Sequence, residues 1–195
     1  MQWRSFVWSV VLPLVILTAG CSYSTRLKYD PIAGGPKNQS ATITLEVRDA
    51  RPPQDGGGDK SQVGRVRGGY GNPFAVRESG PERVSTLVGE ALTDALRQAG
   101  IGTRGGGNRK LVAEITSFWI DGFLGYKSTI AATCSLEDDR GKVLWTRSIT
   151  GAHGGALVFR GVGGFVSDVF RKALAEFATR AKDEFNSPDF QKNVF

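Results

Sequence analysis

From Val84 to Ala99 an apolar residue recurs at every third or fourth position: Val84, Leu87, Val88, Ala91, Leu92, Ala95, Leu96 and Ala99. Only an α-helix aligns such residues on one side, so this stretch must lay a continuous stripe against a core. Ser79 followed by Glu82 reads as a capping box at its start. Gly100 stands where a left-handed stop is needed, and Ile101 can then touch Leu96. Glu90, Thr93, Asp94 and Arg97 form the polar face. A second stripe runs from about Phe165 to Phe185 through Val166, Val169, Phe170, Ala173, Leu174, Phe177, Ala178 and Ala181. Glu176 and Arg180 make a favourable exposed pair on it, and Ser187-Pro188 stops it.

Between and before the helices the period changes from 3.6 to 2. Ile43, Leu45 and Val47 alternate with Thr42, Thr44 and Glu46, a half-buried strand that ends at Asp49-Ala50-Arg51-Pro52-Pro53. A short strand fits Gln62 to Arg67, and the glycine-rich residues 55–59 and 68–73 read as loops. Lys110 to Asp121 carries Leu111, Ala113, Ile115 and Ser117 on one face and Val112, Phe118 and Ile120 on the other, so it is expected to be a central strand of the sheet. Tyr126 to Glu137 sets Ile130, Ala132, Cys134 and Leu136 against Lys127, Thr129, Thr133 and Ser135. Lys142 to Thr150 follows after a tight turn with Gly141 at the position needing positive φ. Gly151 to Gly164 reads as loop or irregular edge strand. The fold expected is α+β: a two-layer sandwich, mostly antiparallel, with two amphipathic helices on one face.

The first 20 residues are a different kind of sequence. Arg4 precedes an apolar run from Phe6 to Leu17 and then small residues, the order of a bacterial export signal. The run is too short to span a bilayer, which takes roughly 20 residues. Leu17-Thr18-Ala19-Gly20-Cys21 resembles the lipobox of bacterial lipoproteins, although Thr18 stands where Leu is usual. The resemblance implies cleavage before Cys21 and acylation of that cysteine. Ser22, rather than Asp, at the next position implies sorting to the outer membrane, facing the periplasm. The organisation expected is therefore a signal peptide over 1–20, the lipidated Cys21 and a flexible tether over 21–40, one α+β domain over 41–187, and a C-terminal tail over 188–195. As a coil the tether would span roughly 25 Å.

The formal charge of +6 becomes +5 once Arg4 is lost with the signal. Solubility explains a mildly basic surface, and anionic headgroups or envelope polymers would also meet it. The compartment argues against nucleic acid as a partner. With Cys21 committed to lipid, Cys134 has no intrachain disulfide partner and reads as a small buried apolar residue.

No catalytic constellation is legible. His153 is the one histidine, inside Gly151-Ala152-His153-Gly154-Gly155, and a zinc site needs further ligands at suitable spacing. No Gly-x-Ser-x-Gly elbow occurs. Asp138 and Asp139 read as a solvated turn. The glycines match neither a P-loop nor a dinucleotide fingerprint; Gly161-Val162-Gly163-Gly164 precedes a helix but reads as flexible loop. No cofactor, metal or catalytic residue is assigned. The aromatic cluster Phe118, Trp119, Phe123 and Tyr126 is the candidate interface, because neighbours on a strand face opposite sides and either Phe118 or Trp119 must point outward.

The stretches Thr42–Pro52, Val88–Leu96, Lys110–Trp119 and the Val166–Phe185 helix resemble the YajG-like family of small outer-membrane lipoproteins. The resemblance rests on core patterns and an Asp-x-Arg-Pro turn, and it implies address and fold more than activity. The expected function is a non-catalytic, lipid-anchored binding or scaffold module of the cell envelope, held to the membrane by its anchor and meeting an envelope protein partner. The alternative is an auxiliary lipoprotein subunit of an envelope transport or secretion complex.

Overall fold

The computed structural model describes residues 22–35, 38–55, 57–67, 73–80, 83–103, 107–122, 125–156 and 162–195. The strands are β1 (Ser22–Thr25), β2 (Ala41–Thr42), β3 (Thr44–Asp49), β4 (Gln62–Arg67), β5 (Pro73–Glu78), β6 (Ile101–Gly102), β7 (Lys110–Gly122), β8 (Gly125–Glu137) and β9 (Val143–Ala156). The helices are α1 (Arg83–Gln98), α2 (Val162–Phe185) and α3 (Pro188–Val194). Seven strands form one sheet in the order β1-β5-β4-β7-β8-β9, with β3 also paired to β7; β2 and β6 form a separate short pair. The long pairings, β7 with β8 and β8 with β9, are antiparallel, while β1 with β5 and both β3 and β4 with β7 are parallel. The α+β class and the predominantly antiparallel sheet agree with the sequence pattern.

β3 and β4 lie one after the other along the same edge of β7. β3 matches Lys110–Ile115 and β4 matches Ile120–Gly122. The chain between them leaves the sheet and returns, and Arg51 holds that excursion together. Its guanidinium is buried, pairs with both oxygens of Asp49 at 2.8 and 2.9 Å, and donates to the carbonyls of Lys60 and Gln62. Burial opposes ionisation of Asp49, but the hydrogen bonds and charge of Arg51 outweigh it and hold the carboxyl below its ordinary range. The Asp-x-Arg-Pro turn is thus a structural knot whose buried charge is paired and hydrogen-bonded.

β7 departs from the simple alternation read in its sequence. A bulge between Ile115 and Ser117 inserts one residue and flips the side-chain parity. Phe118 and Ile120 therefore join Leu111, Ala113 and Ile115 on the helix side, all wholly buried in one core. The strand is covered by helices on one face only. Val112, on the other face, is buried but stands outside the main core.

Both predicted helices form. Gly100 has φ of 83° and Gly141 has φ of 78°, as their stop and turn positions require. The Ser79 hydroxyl donates to the Thr25 carbonyl, and Glu82, the other half of the capping box, lies outside the described residues. Glu176 and Arg180 do pair, at 2.6 Å. Gly151 to Ala156 continue β9, so of the two readings, loop or edge strand, the edge strand holds for these residues. Gly151 is needed there because a Cβ would lie 2.3 Å from the Phe177 amide nitrogen of α2. β5, within a stretch the sequence pattern left unassigned, is also a strand.

The C-terminal segment is not a tail. Ser187 caps α3 by accepting from the Phe190 amide, and Pro188 begins its first turn. Phe190 is wholly buried, with its ring 4.8 Å from those of Trp145 and Phe185. Among the described residues three helices, not two, therefore contribute to the core.

Candidate functional site

The segment after Cys21 is fastened to the domain from its first described residue. Ser22, Tyr23, Ser24 and Thr25 pair in parallel with Ala75 to Glu78. Leu27 is buried in the core, and Tyr23, Tyr29 and Ile32 pack against it. The expectation of a free tether over 21–40 is therefore corrected for residues 22–32. Two buried carboxylates wait for the backbone donors of this segment.

Glu78 accepts from the Leu27 amide at 2.9 Å, and its other oxygen lies 3.5 Å from Arg83. Burial raises its carboxyl above the ordinary range, against the Leu27 hydrogen bond and the Arg83 charge. Asp94 receives the Tyr29 hydroxyl at 2.8 Å, the Ile32 amide at 2.9 Å and Arg97 at 2.7 Å. Gln98 beside it donates to the Ile32 carbonyl. Burial acts against the Asp94 charge, but the bonds from Tyr29, Arg97 and Ile32 prevail and hold its carboxyl below its ordinary range. Burial, with the hydrogen bond to Asp94, pushes the Tyr29 hydroxyl up. Asp94 is thus not the solvated helix-face residue its spacing suggested.

The Asp94 clasp gives a pH prediction. Its folded-state pKa lies below the unfolded value of about 3.9, so its stabilisation is present above that value and lost as pH falls through the lower one. Hydrogen exchange at the Ile32 amide should stay protected from pH 7 to about 4 and lose protection in stronger acid. Asp94→Ala should remove that protection at neutral pH and cost about 1–3 kcal/mol for the stranded donors. Protection that survives the substitution would show that another contact holds the segment.

The aromatic cluster divides between the two faces of the sheet. Phe118 is wholly buried and stacks on Phe170 of α2, with ring centroids 5.0 Å apart. Trp119 points the other way, half-buried on the helix-free face. Tyr126 is on the Phe118 side and meets Phe165 edge-on at 3.9 Å. Phe123 lies outside the described residues. The four residues do not form one patch, because adjacent strand positions diverge and the Phe118 side belongs to α2.

Around Trp119 the open face is polar. Thr129, Thr133, Ser135, Thr146 and Ser148 are partly or fully exposed on the neighbouring strands. A shallow cavity of about 600 Å³ is lined by Asp55, Ser117, Trp119, Asp121 and Lys127, among others. It offers one large aromatic surface rimmed by opposite charges.

The other residues singled out in the sequence are dispersed. His153 is half-buried on β9 opposite Ser128. Cys134 is buried, and burial pushes its thiol up to about 12, so it is an inert core residue. Asp138 accepts the amides of Arg140 and Lys142 at 2.9 Å, which shapes the hairpin turn and lowers its carboxyl. Among the described residues no group of three His, Cys, Asp or Glu side chains gathers to hold a metal.

The architecture defines a class: one mostly antiparallel sheet with helices packed on a single face and an N-terminal strand closing one edge. The chain has the fold of protein XCC0632 from Xanthomonas campestris, of family DUF330, with a TM-score of 0.57 at 16% identity, covering 88% of this chain and 97% of that one. An uncharacterized protein superposes with a TM-score of 0.53 at 13% identity, over 85% of this chain and 99% of the other. A minor lipoprotein from Acinetobacter baumannii reaches a TM-score of 0.47 at 12% identity over 77% and 93% of the two chains, too slight a likeness to argue from. No family model and no curated protein sequence matches the chain. At these identities the likeness establishes the fold alone.

Proposed function

We propose that this chain is a lipid-anchored, non-catalytic binding or scaffold module of the bacterial cell envelope, held at the periplasmic face of the outer membrane. The observation that carries the reading is the lipobox-like string ending at Cys21, followed at once by a folded strand. Among the described residues no helix is long and apolar enough to cross a membrane, which fits attachment by acyl chains. Two or more such chains anchor stably. The resemblance to YajG-like lipoproteins belongs to this reading, as does the outer-membrane address taken from Ser22. The dispersal of His153, Cys134 and Asp138 supports a role in binding over a role in chemistry.

Cys21→Ala should abolish incorporation of a palmitate analogue and leave the precursor uncut in cells. Label retained by the variant would sink the anchor. A second reading, an auxiliary lipoprotein subunit of an envelope transport or secretion complex, is favoured by Trp119 on its polar, helix-free face. Crosslinking from that face in cells separates the two: capture of a membrane permease or its ATPase supports the second, and capture of envelope polymer alone supports the first.

A further inference from the structure

We propose that the domain sits flush on the bilayer, with one particular end of its sheet at headgroup level: the end where β1, β5 and β8 begin and β4, β7 and β9 finish. The proposal rests on the lipid-anchor reading of Cys21 and deepens it. Cys21 is bonded to Ser22, so their Cα atoms are about 3.8 Å apart. Ser22 is already paired in the sheet, and the segment after it is clasped by Glu78 and Asp94. No slack remains between the acylated residue and the rigid domain.

The strand register fixes what lies at that level. Ser22 pairs with Ala75, Ala75 with Arg65, Arg65 with Asp121, Asp121 with Lys127, and Lys127 with Gly154. This row crosses the whole sheet at the height of the anchor. Arg65 and Lys127 are exposed in it, against one exposed acid, Asp121. Arg67 is exposed two residues nearer the same end. Such an excess of cations complements anionic headgroups. The edge-to-face pair of Tyr126 and Phe165 is at this end too, each ring only partly buried. Amphipathic rings with one wet edge suit a headgroup layer. The opposite end of the sheet carries the Asp138–Gly141 turn. With β7 thirteen residues long, that turn stands about 40 Å from the anchor row.

The test uses the acylated full chain in vesicles of phosphatidylethanolamine and phosphatidylglycerol containing a lipid with a nitroxide on its headgroup. A fluorophore is attached at Gly164→Cys, an exposed position with open space for a side chain at the anchor end, or at Asp139→Cys in the far turn. The buried Cys134 is the labelling control. Quenching is expected to be several-fold stronger at 164 than at 139. A 20-residue Gly/Ser insert between Cys21 and Ser22 should erase most of the difference. Arg65→Glu with Lys127→Glu should weaken quenching at 164, and an unchanged signal would overturn the headgroup contact. Equal quenching at the two positions, with acylation and vesicle flotation intact, would overturn the orientation while leaving the anchor standing. A chain that is not acylated and does not float would remove the anchor reading itself, and the orientation with it.

Discussion

Phe118→Ala is expected to lower the unfolding free energy by about 3–5 kcal/mol, the cost of emptying a buried aromatic site. Trp119→Ala, one residue away, should cost about 1 kcal/mol or less. The contrast follows from the bulge in β7. Phe118 points into the core and stacks on Phe170 at an interplanar angle of 14°. Removing it deprives Phe170 of α2 of its stacking partner. Trp119 faces solvent over the polar side of the sheet. Urea denaturation of the two variants, made in a chain beginning at Ser22, measures both. Equal and large losses would mean that the sheet is covered on both faces at Trp119 and that no docking surface exists there. If Trp119→Ala folds normally yet loses its crosslinks in cells, the open face is the partner surface.

Elements governed by local periodicity were legible in the sequence, and those governed by distant partners were not. The stripe from Val84 to Ala99 and the alternation from Ile130 to Leu136 appear as read, because each residue's burial follows from its own neighbours. Gly100 and Gly141 appear because positive φ is a local demand. The bulge in β7 was invisible, since it changes which face every later residue occupies without any glycine or proline to mark it. β1 was missed for a different reason. Ser22 to Thr25 has no core pattern of its own and is a strand because β5 offers an edge to it. Leu27, Tyr29 and Ile32 were the available signal: apolar residues in a supposed tether need something to cover. Their partners, Glu78 and Asp94, are more than 50 positions away in the chain. Phe190 is the same kind of case, a lone aromatic beyond a proline whose burial depends on Trp145. Of the candidate interface, strand alternation correctly required Phe118 and Trp119 to diverge. Which one faced outward depended on the parity that the bulge reset.

Asp94 and Ala95 are adjacent on α1, and the second large effect comes from placing a carboxylate at the second position as well. Ala95→Asp should cost about 3–5 kcal/mol, the scale for a buried charge left without compensation. That is a large part of the roughly 5–15 kcal/mol that stabilises a domain. Native Asp94 is also buried, but Tyr29, Ile32 and Arg97 supply donors at 2.7 to 2.9 Å. Ala95 is wholly buried in the apolar core, so the new carboxylate would meet no such donors. The two positions should respond to acid in opposite directions. At 95 burial alone acts, raising the carboxyl pKa above its unfolded value, so acid relieves the penalty by neutralising the group. At 94 the donors hold the pKa down, so strong acid removes stabilisation. Thermal melts of the wild type and of Ala95→Asp between pH 7 and 4 should therefore converge as pH falls. Ala95→Asn separates charge from size, because it retains the bulk and polarity without titrating, and its deficit should stay constant over that range. A variant that melts at the wild-type temperature at pH 7 would place Ala95 outside the buried stripe.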